Sequence, residues 1–253
     1  MAQSWGIKMR KSVLNISLIS LFVLFGCEKS LSSEEVVSGV KENESLVENY
    51  HALIDLSISV TNKESGEVIQ ESMSKSDIVI NEQTLDTYGT INESAAGETL
   101  TQQYYSVDDK AYLNLNDQGW IDMSSQQDEL FQSTGTTYPH IVPIVESISK
   151  VGELTENEES YVYTFQGKNT DLYASFESPY SLSFGLLSPD EVTQNTKISI
   201  DKETLIIKEV FNELSGIQEG HELVMKIHQT YQDMNEMNSI TIPQEVIDDA
   251  LNN

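Results

Sequence analysis

The chain has 253 residues, with 41 acids against 14 bases, a formal net charge of −27 at pH 7 and a single cysteine. Such an excess of carboxylates excludes nucleic-acid binding, which replaces phosphate counterions with Lys and Arg, and disfavours peripheral attachment to an anionic membrane surface. One cysteine excludes a disulfide framework and a multi-cysteine metal centre, so the fold must rest on its apolar core.

Lys8, Arg10 and Lys11 are the only charged residues before Cys27, and Val13–Phe25 is apolar except for Asn15, Ser17 and Ser20. A basic start, a short apolar run and a small residue at its end predict a secretory signal peptide over residues 1–26. The 13-residue run is shorter than the about 20 residues that a spanning helix needs. Leu24-Phe25-Gly26-Cys27 resembles the lipobox of bacterial lipoproteins. That resemblance implies cleavage ahead of Cys27, acylation of its thiol and a lipid anchor at the extracytoplasmic face of the cell membrane. All 41 acids and 11 of the 14 bases lie beyond residue 26, so the mature chain would carry −30. The acids are scattered, which is the pattern of a solvated surface.

Residues 27–33 read as a tether, and residues 34–253 as one domain. Ser32-Ser33-Glu34-Glu35 fits a capping box. At about 100° per residue, Val36, Val40, Val47 and Tyr50 share one face of a helix that ends near His51. The period then changes to two. Ala52, Ile54, Leu56, Ile58 and Val60 alternate with more polar residues, as in a strand with one buried face. Further strands are predicted at Val68–Met73, Asp77–Asn81, Leu85–Ile91, Thr99–Val107, Ala111–Leu115 and Trp120–Met123, with turns too short for anything but antiparallel neighbours. Asp128–Phe131 reads as a short helix, Ser133–His140 as a loop, and Ile141–Val151 as a helix beginning around Pro143. Tyr161–Gln166 alternates again and Thr170–Glu177 reads as helical. Lys197–Ile200, Leu205–Leu214 and His221–Tyr231 complete the strands. Pro243 opens a last helix that should carry Val246, Ile247, Ala250 and Leu251 inward. These elements predict an α+β fold: a single large curved antiparallel sheet, with an N-terminal helix and a few short helices packed on one face.

Motifs for catalysis or metal binding fail on named residues. His221-Glu222 opens like a zinc-protease motif, but Met225 stands where the second His belongs. Asn114–Gly119 resembles a calcium loop, yet Gln118 takes a ligand position and Ser125 replaces the bidentate Glu. Ser72-Met73-Ser74-Lys75 and Ser147-Ile148-Ser149-Lys150 match Ser-x-x-Lys without the companion motifs of that chemistry. No catalytic residue, metal site or cofactor is therefore expected, and the protein reads as a non-enzyme. The aromatic residues cluster instead around the central strands. Tyr104, Tyr112, Trp120 and Tyr163 are the ligand-binding candidates, because an apolar ring with one polar handle suits a cavity wall. The same residues also suit ordinary core and cross-strand pairing.

The order of lipobox, N-terminal helix, Tyr-rich strands and a C-terminal Tyr231-Gln232-Asp233-Met234-Asn235 followed by Ile240-Thr241-Ile242-Pro243 resembles poorly characterised Gram-positive lipoproteins of the LolA/LppX/LprG-like superfamily. The resemblance runs from about Ser33 to the C-terminus. It implies a half-barrel with an apolar cavity that holds a lipid or other apolar small molecule without fixed catalytic residues. A charge of −30 sits poorly with extracting lipid from an anionic surface. The alternative is an interaction or sensor module with a filled core, whose partner is another envelope protein.

Overall fold

The computed structural model describes residues 30–127, 137–180, 187–237 and 239–252. The signal peptide expected over residues 1–26, Cys27, the helix expected at Asp128–Phe131 and the first part of the loop expected at Ser133–His140 lie outside them. Helix α1 (Ser33–Asn43) starts at the expected capping box. The Glu35 N–H donates to the Ser32 hydroxyl, and the Ser32 N–H donates to the Glu35 carboxylate. It is shorter than its periodicity suggests: Glu44–Leu46 is a 3-10 turn and Val47 is extended. Tyr50 satisfies both periods, and the strand takes it, because there it faces Ile80 across the sheet and its hydroxyl reaches Glu82 at 2.6 Å.

Eleven strands follow: β1 (Asn49–Asn62), β2 (Val68–Asn81), β3 (Thr87–Ala95), β4 (Glu98–Val107), β5 (Lys110–Leu115), β6 (Trp120–Asp122), β7 (Glu153–Glu156), β8 (Ser160–Gly167), β9 (Thr193–Asp201), β10 (Ile207–Gln218) and β11 (His221–Gln232). They form one curved antiparallel sheet in the order β6-β5-β4-β3-β2-β1-β11-β10-β9-β8-β7. The chain enters at the middle, meanders out to β6, crosses to the far edge at β7, and returns to zip β11 onto β1 over twelve residue pairs. The two runs expected within 68–81 are one strand. β7 escaped the sequence reading because its Glu-Leu-Thr-Glu has a single apolar residue and lies at an edge.

The inner face is covered by α1, α2 (Tyr138–Ser149) and α3 (Thr170–Tyr180), whose buried residues join those of the sheet in one continuous core. Helix α2 begins three residues earlier than Ile141, so Tyr138–His140 is helix and not loop. Pro139 occupies the first turn, where its missing N–H costs nothing, and Pro143 forgoes one bond to the Pro139 carbonyl. The last helix, α4 (Gln244–Ala250), buries Val246, but Leu251 is 79% exposed. It stands at the C-cap, past the last turn that packs.

Two features order the inner face. Tyr163 and Tyr161 on β8 fasten the start of α1: the Tyr163 hydroxyl donates to the Ser33 carbonyl (2.9 Å) and the Leu31 N–H donates to the Tyr161 hydroxyl (3.3 Å). In the centre, the Tyr138 N–H donates to both the Tyr50 hydroxyl and Glu82, while the Tyr138 hydroxyl accepts from the Ile207 N–H. Burial, with the Glu82 carboxylate beside it, raises the Tyr50 phenol far above its ordinary range, so this network stays neutral at Tyr50.

Candidate functional site: an aromatic groove on the outer face

On a strand, side chains alternate faces, and directly paired residues share one. His51, Val79, Tyr88, Tyr105 and Tyr112 are paired in sequence across β1–β5, on the outer face. Asp77, Thr90, Gln103, Asn114 and Trp120 form the next row of that face. The rings make a continuous strip. Tyr88 and Tyr105 stack at 5.6 Å between centroids and 18° between planes, and Tyr105 meets Trp120 at 5.5 Å and 52°.

The C-terminal segment crosses this face as a strap. After β11 the backbone turns through two left-handed residues, Asp233 (φ 50°) and Asn235 (φ 60°). Asn235 is the clasp. Its side-chain oxygen accepts from the Glu48 N–H (2.7 Å), its amide donates to the Leu46 carbonyl (2.7 Å), and its own N–H donates to the Asn49 carbonyl (2.9 Å). Asn and Asp tolerate this conformation better than other side-chain-bearing residues. Ile240, with Met237 and Ile242, then packs on Val79 and Val107 to make a small second core on the outer face. The far end is tied by the Trp120 N–H, which donates to Asp249 at 2.7 Å. The C-terminal pattern read in the sequence is thus the strap and its fastenings.

Strap and strip enclose a groove of about 640 Å³, lined by Val79, Tyr88 and Tyr105 from the sheet and by Asp233, Glu236, Met237, Ser239, Ile240 and Thr241 from the strap. A second cleft of about 290 Å³ lies along the same two tyrosines, with Asp77, Thr90, Gln103 and Trp120 on its walls. His51 sits between acids of the two clefts, its Nε2 2.7 Å from Asp77 and its Nδ1 3.8 Å from Asp233. No group of three or more potential metal-ligating side chains occurs among the described residues.

The four aromatic candidates do not form one site. Tyr112 and Trp120 face outward, whereas Tyr104 and Tyr163 are inner-face residues, 1% and 0% exposed, within the core. The sequence reading missed Tyr88, which is 38% exposed and shared by both clefts. The signal was the parity of Val79, Tyr88 and Tyr105, which only the strand register makes visible. On the inner face, beyond the helices, Leu56, Ile58, Ser72, Ser74 and Ala95 line an open cleft of about 280 Å³ that also includes Glu93.

A model of a family of unknown function, DUF6612, matches residues 32–251. The chain belongs to that family. The match spans α1 through the strap, so the strap is part of the domain that the family shares. No curated protein matches the chain. Among solved structures, it is similar to the YwiB protein of Bacillus subtilis (12% identity, 73% of this chain and 94% of that one, TM-score 0.20). It is also similar to the MucA/MucB complex of Pseudomonas aeruginosa (10%, 83% and 64%, TM-score 0.25). A third is a DUF1329 protein of Desulfovibrio piger (10%, 81% and 96%, TM-score 0.23).

Proposed function

We propose that this protein is a non-enzymatic binding module, lipid-anchored through Cys27 at the extracytoplasmic face of the membrane, that receives its partner in the outer-face groove. The groove itself carries the reading. Its volume falls in the range of ligand sites, which run from about 300 to about 1,000 Å³, and a strap clasped by Asn235 holds its walls in place. By contrast, α1–α3 fill the inner face where a half-barrel carrier would hold its cargo. The filled core therefore favours binding in the outer groove over a lipid carried on the inner face. The inner cleft at Leu56 and Ile58 supports the second reading, an apolar ligand of the kind a LolA-like half-barrel holds.

Native mass spectrometry on the full chain, extracted with its anchor from the cell that makes it, separates the two and also reads the acyl mass at Cys27. Three proteins are compared: wild type, Tyr88→Ala and Ile58→Ser. A co-purifying mass lost in Tyr88→Ala and kept in Ile58→Ser supports the outer groove. The reverse pattern transfers the ligand to the inner face. An unliganded mass in all three overturns the binding reading.

A further inference from the structure

The composition of the groove assigns a charge to its occupant. The walls combine two stacked phenol rings with the carboxylates of Asp233 and Glu236, and the adjoining cleft adds Asp77; neither lining contains a Lys or Arg. A third strap carboxylate, Glu245, lies close enough to Tyr105 to push its phenol upward, after burial and Tyr88, in that order. His51 touches Asp77 and Asp233, but among the described residues no lysine pairs with any of the four acids. Of the ten lysines among the described residues, seven form ion pairs, all with acids elsewhere: Glu146, Asp55, Glu209, Glu156, Asp201 and Glu213. Neither Glu236 nor Glu245 enters an ion pair among the described residues, and Asp233 has only the long contact to His51.

We propose that the groove is a binding site for a small organic cation, an alkylammonium group seated against the Tyr88–Tyr105 rings with its charge facing the strap carboxylates. The proposal rests on the preceding reading that the groove is the binding site, and supplies the chemistry of the ligand. An aromatic face attracts a cation through its quadrupole, and quaternary ammonium groups suit it because they are poorly hydrated. Nearby carboxylates add Coulomb attraction without the geometric demand of a tight ion pair. A neutral apolar ligand gains nothing from these acids, and an anion is repelled by them. An alkylammonium uses every wall. Aromatic rings supply contact, the carboxylates supply charge, and Ile240 and Met237 supply an apolar floor.

Trp120 supplies the readout. The chain has two tryptophans, Trp5 and Trp120, and the proposed cleavage ahead of Cys27 removes Trp5, so the anchored protein reports on Trp120 alone, which packs against Tyr105. Choline is titrated against 3,3-dimethyl-1-butanol, which has the same shape without the charge. Saturable change in Trp120 emission with choline is expected, with binding at least about tenfold weaker for the neutral isostere, the equivalent of about 1.4 kcal/mol. The Glu236→Gln/Glu245→Gln variant, both positions being exposed, should lose that preference while keeping the emission of the free protein. Equal response to the two probes overturns the cation assignment and leaves the groove standing as a binding site. No response to either also overturns it, and the mass-spectrometric comparison then decides separately whether the groove binds anything.

Discussion

Leu85 and Leu205 occupy the left-handed region of backbone space, at φ 61° and 52°, where a leucine is strained. The reason is a turn used three times. Asn62, Asn81 and Asp201 each accept, through a side-chain oxygen, the N–H groups two and three residues on, and the fifth residue of the turn is left-handed: Gly66, Leu85 and Leu205. Gly66 fits without strain, whereas the two leucines differ in what they gain. Leu85 is 49% exposed, but Leu205 packs on the core and lies against Gly39 of α1. Leu85→Gly is therefore expected to raise stability by about 0.5–1 kcal/mol, and Leu205→Gly to lower it; urea unfolding of the two variants checks the difference in sign. Asp201 adds a pH dependence. Burial opposes its charge, but the Thr204 and Glu203 N–H groups, the Thr204 hydroxyl and Lys208 together hold its carboxyl below the usual range. A depressed folded pKa contributes stability above the unfolded pKa, and loses it as pH falls through the folded value. Asp201→Asn keeps the acceptor oxygen, as Asn62 and Asn81 do. Its deficit against wild type should thus be present at about pH 7 and shrink by about pH 3. An unchanged gap in urea midpoints would show that the carboxylate charge contributes nothing.

The strands β9, β10 and β11 carry a line of fully buried polar side chains on the inner face, Gln194, Thr196, Asn212 and Gln229, among apolar neighbours. Each finds one partner: the Gln194 amide donates to the Asn169 carbonyl, the Thr196 hydroxyl to Asn212 (2.8 Å), and the Tyr180 hydroxyl to Gln229 (2.6 Å). The other half of each amide has no partner among the described residues. Thr196→Val would leave both ends of the Asn212 amide unpaired at a cost of about 1–3 kcal/mol. The double variant Thr196→Val/Asn212→Leu should recover to within about 1 kcal/mol of wild type, because replacing both partners removes the desolvation penalty. A double variant as unstable as the single one would mean that the Asn212 amide is itself required for packing. This line was hidden in the sequence. Nothing in the local pattern marks Gln194, Asn212 and Gln229 as internal; the fold buries them, with Tyr180 of α3 reaching Gln229.

At the scale of the whole molecule, net charge sets a background against which every local contact acts. The chain carries −27, its lysine pairs are mostly well exposed, and exposed pairs contribute little each. Self-repulsion among scattered carboxylates is the larger electrostatic effect. Raising sodium chloride from about 0.05 to about 0.5 M shortens the screening length from roughly 14 to roughly 4 Å. The urea midpoint is expected to rise with it, and a fall would mean that the ion pairs outweigh the repulsion. The charge also bears on function. With bases so few, and seven of the ten described lysines paired elsewhere, a groove lined by aromatics and acids presents a negative field to the solvent, as a site for a cation would.

What the sequence determined by itself was local and periodic. A capping box sets the start of α1, and alternation sets the strands with their antiparallel pairing. The closing of three hairpins follows from Asn or Asp at their heads. Such features depend on residues within a few positions of one another, so they survive without knowledge of the fold. Tertiary structure decided which face each residue meets and what crosses it. Tyr50 passed from helix to strand because Glu82 and Ile80 lie opposite. Tyr104 and Tyr163 went into the core, while Tyr88 came forward to line the groove. The strap was present in the sequence as a pattern of Asp, Asn and isoleucines, but its role arises from hydrogen bonds between Asn235 and Leu46, Glu48 and Asn49, nearly 190 positions away. Contacts at that separation form only when β11 closes onto β1, and that closure creates the groove.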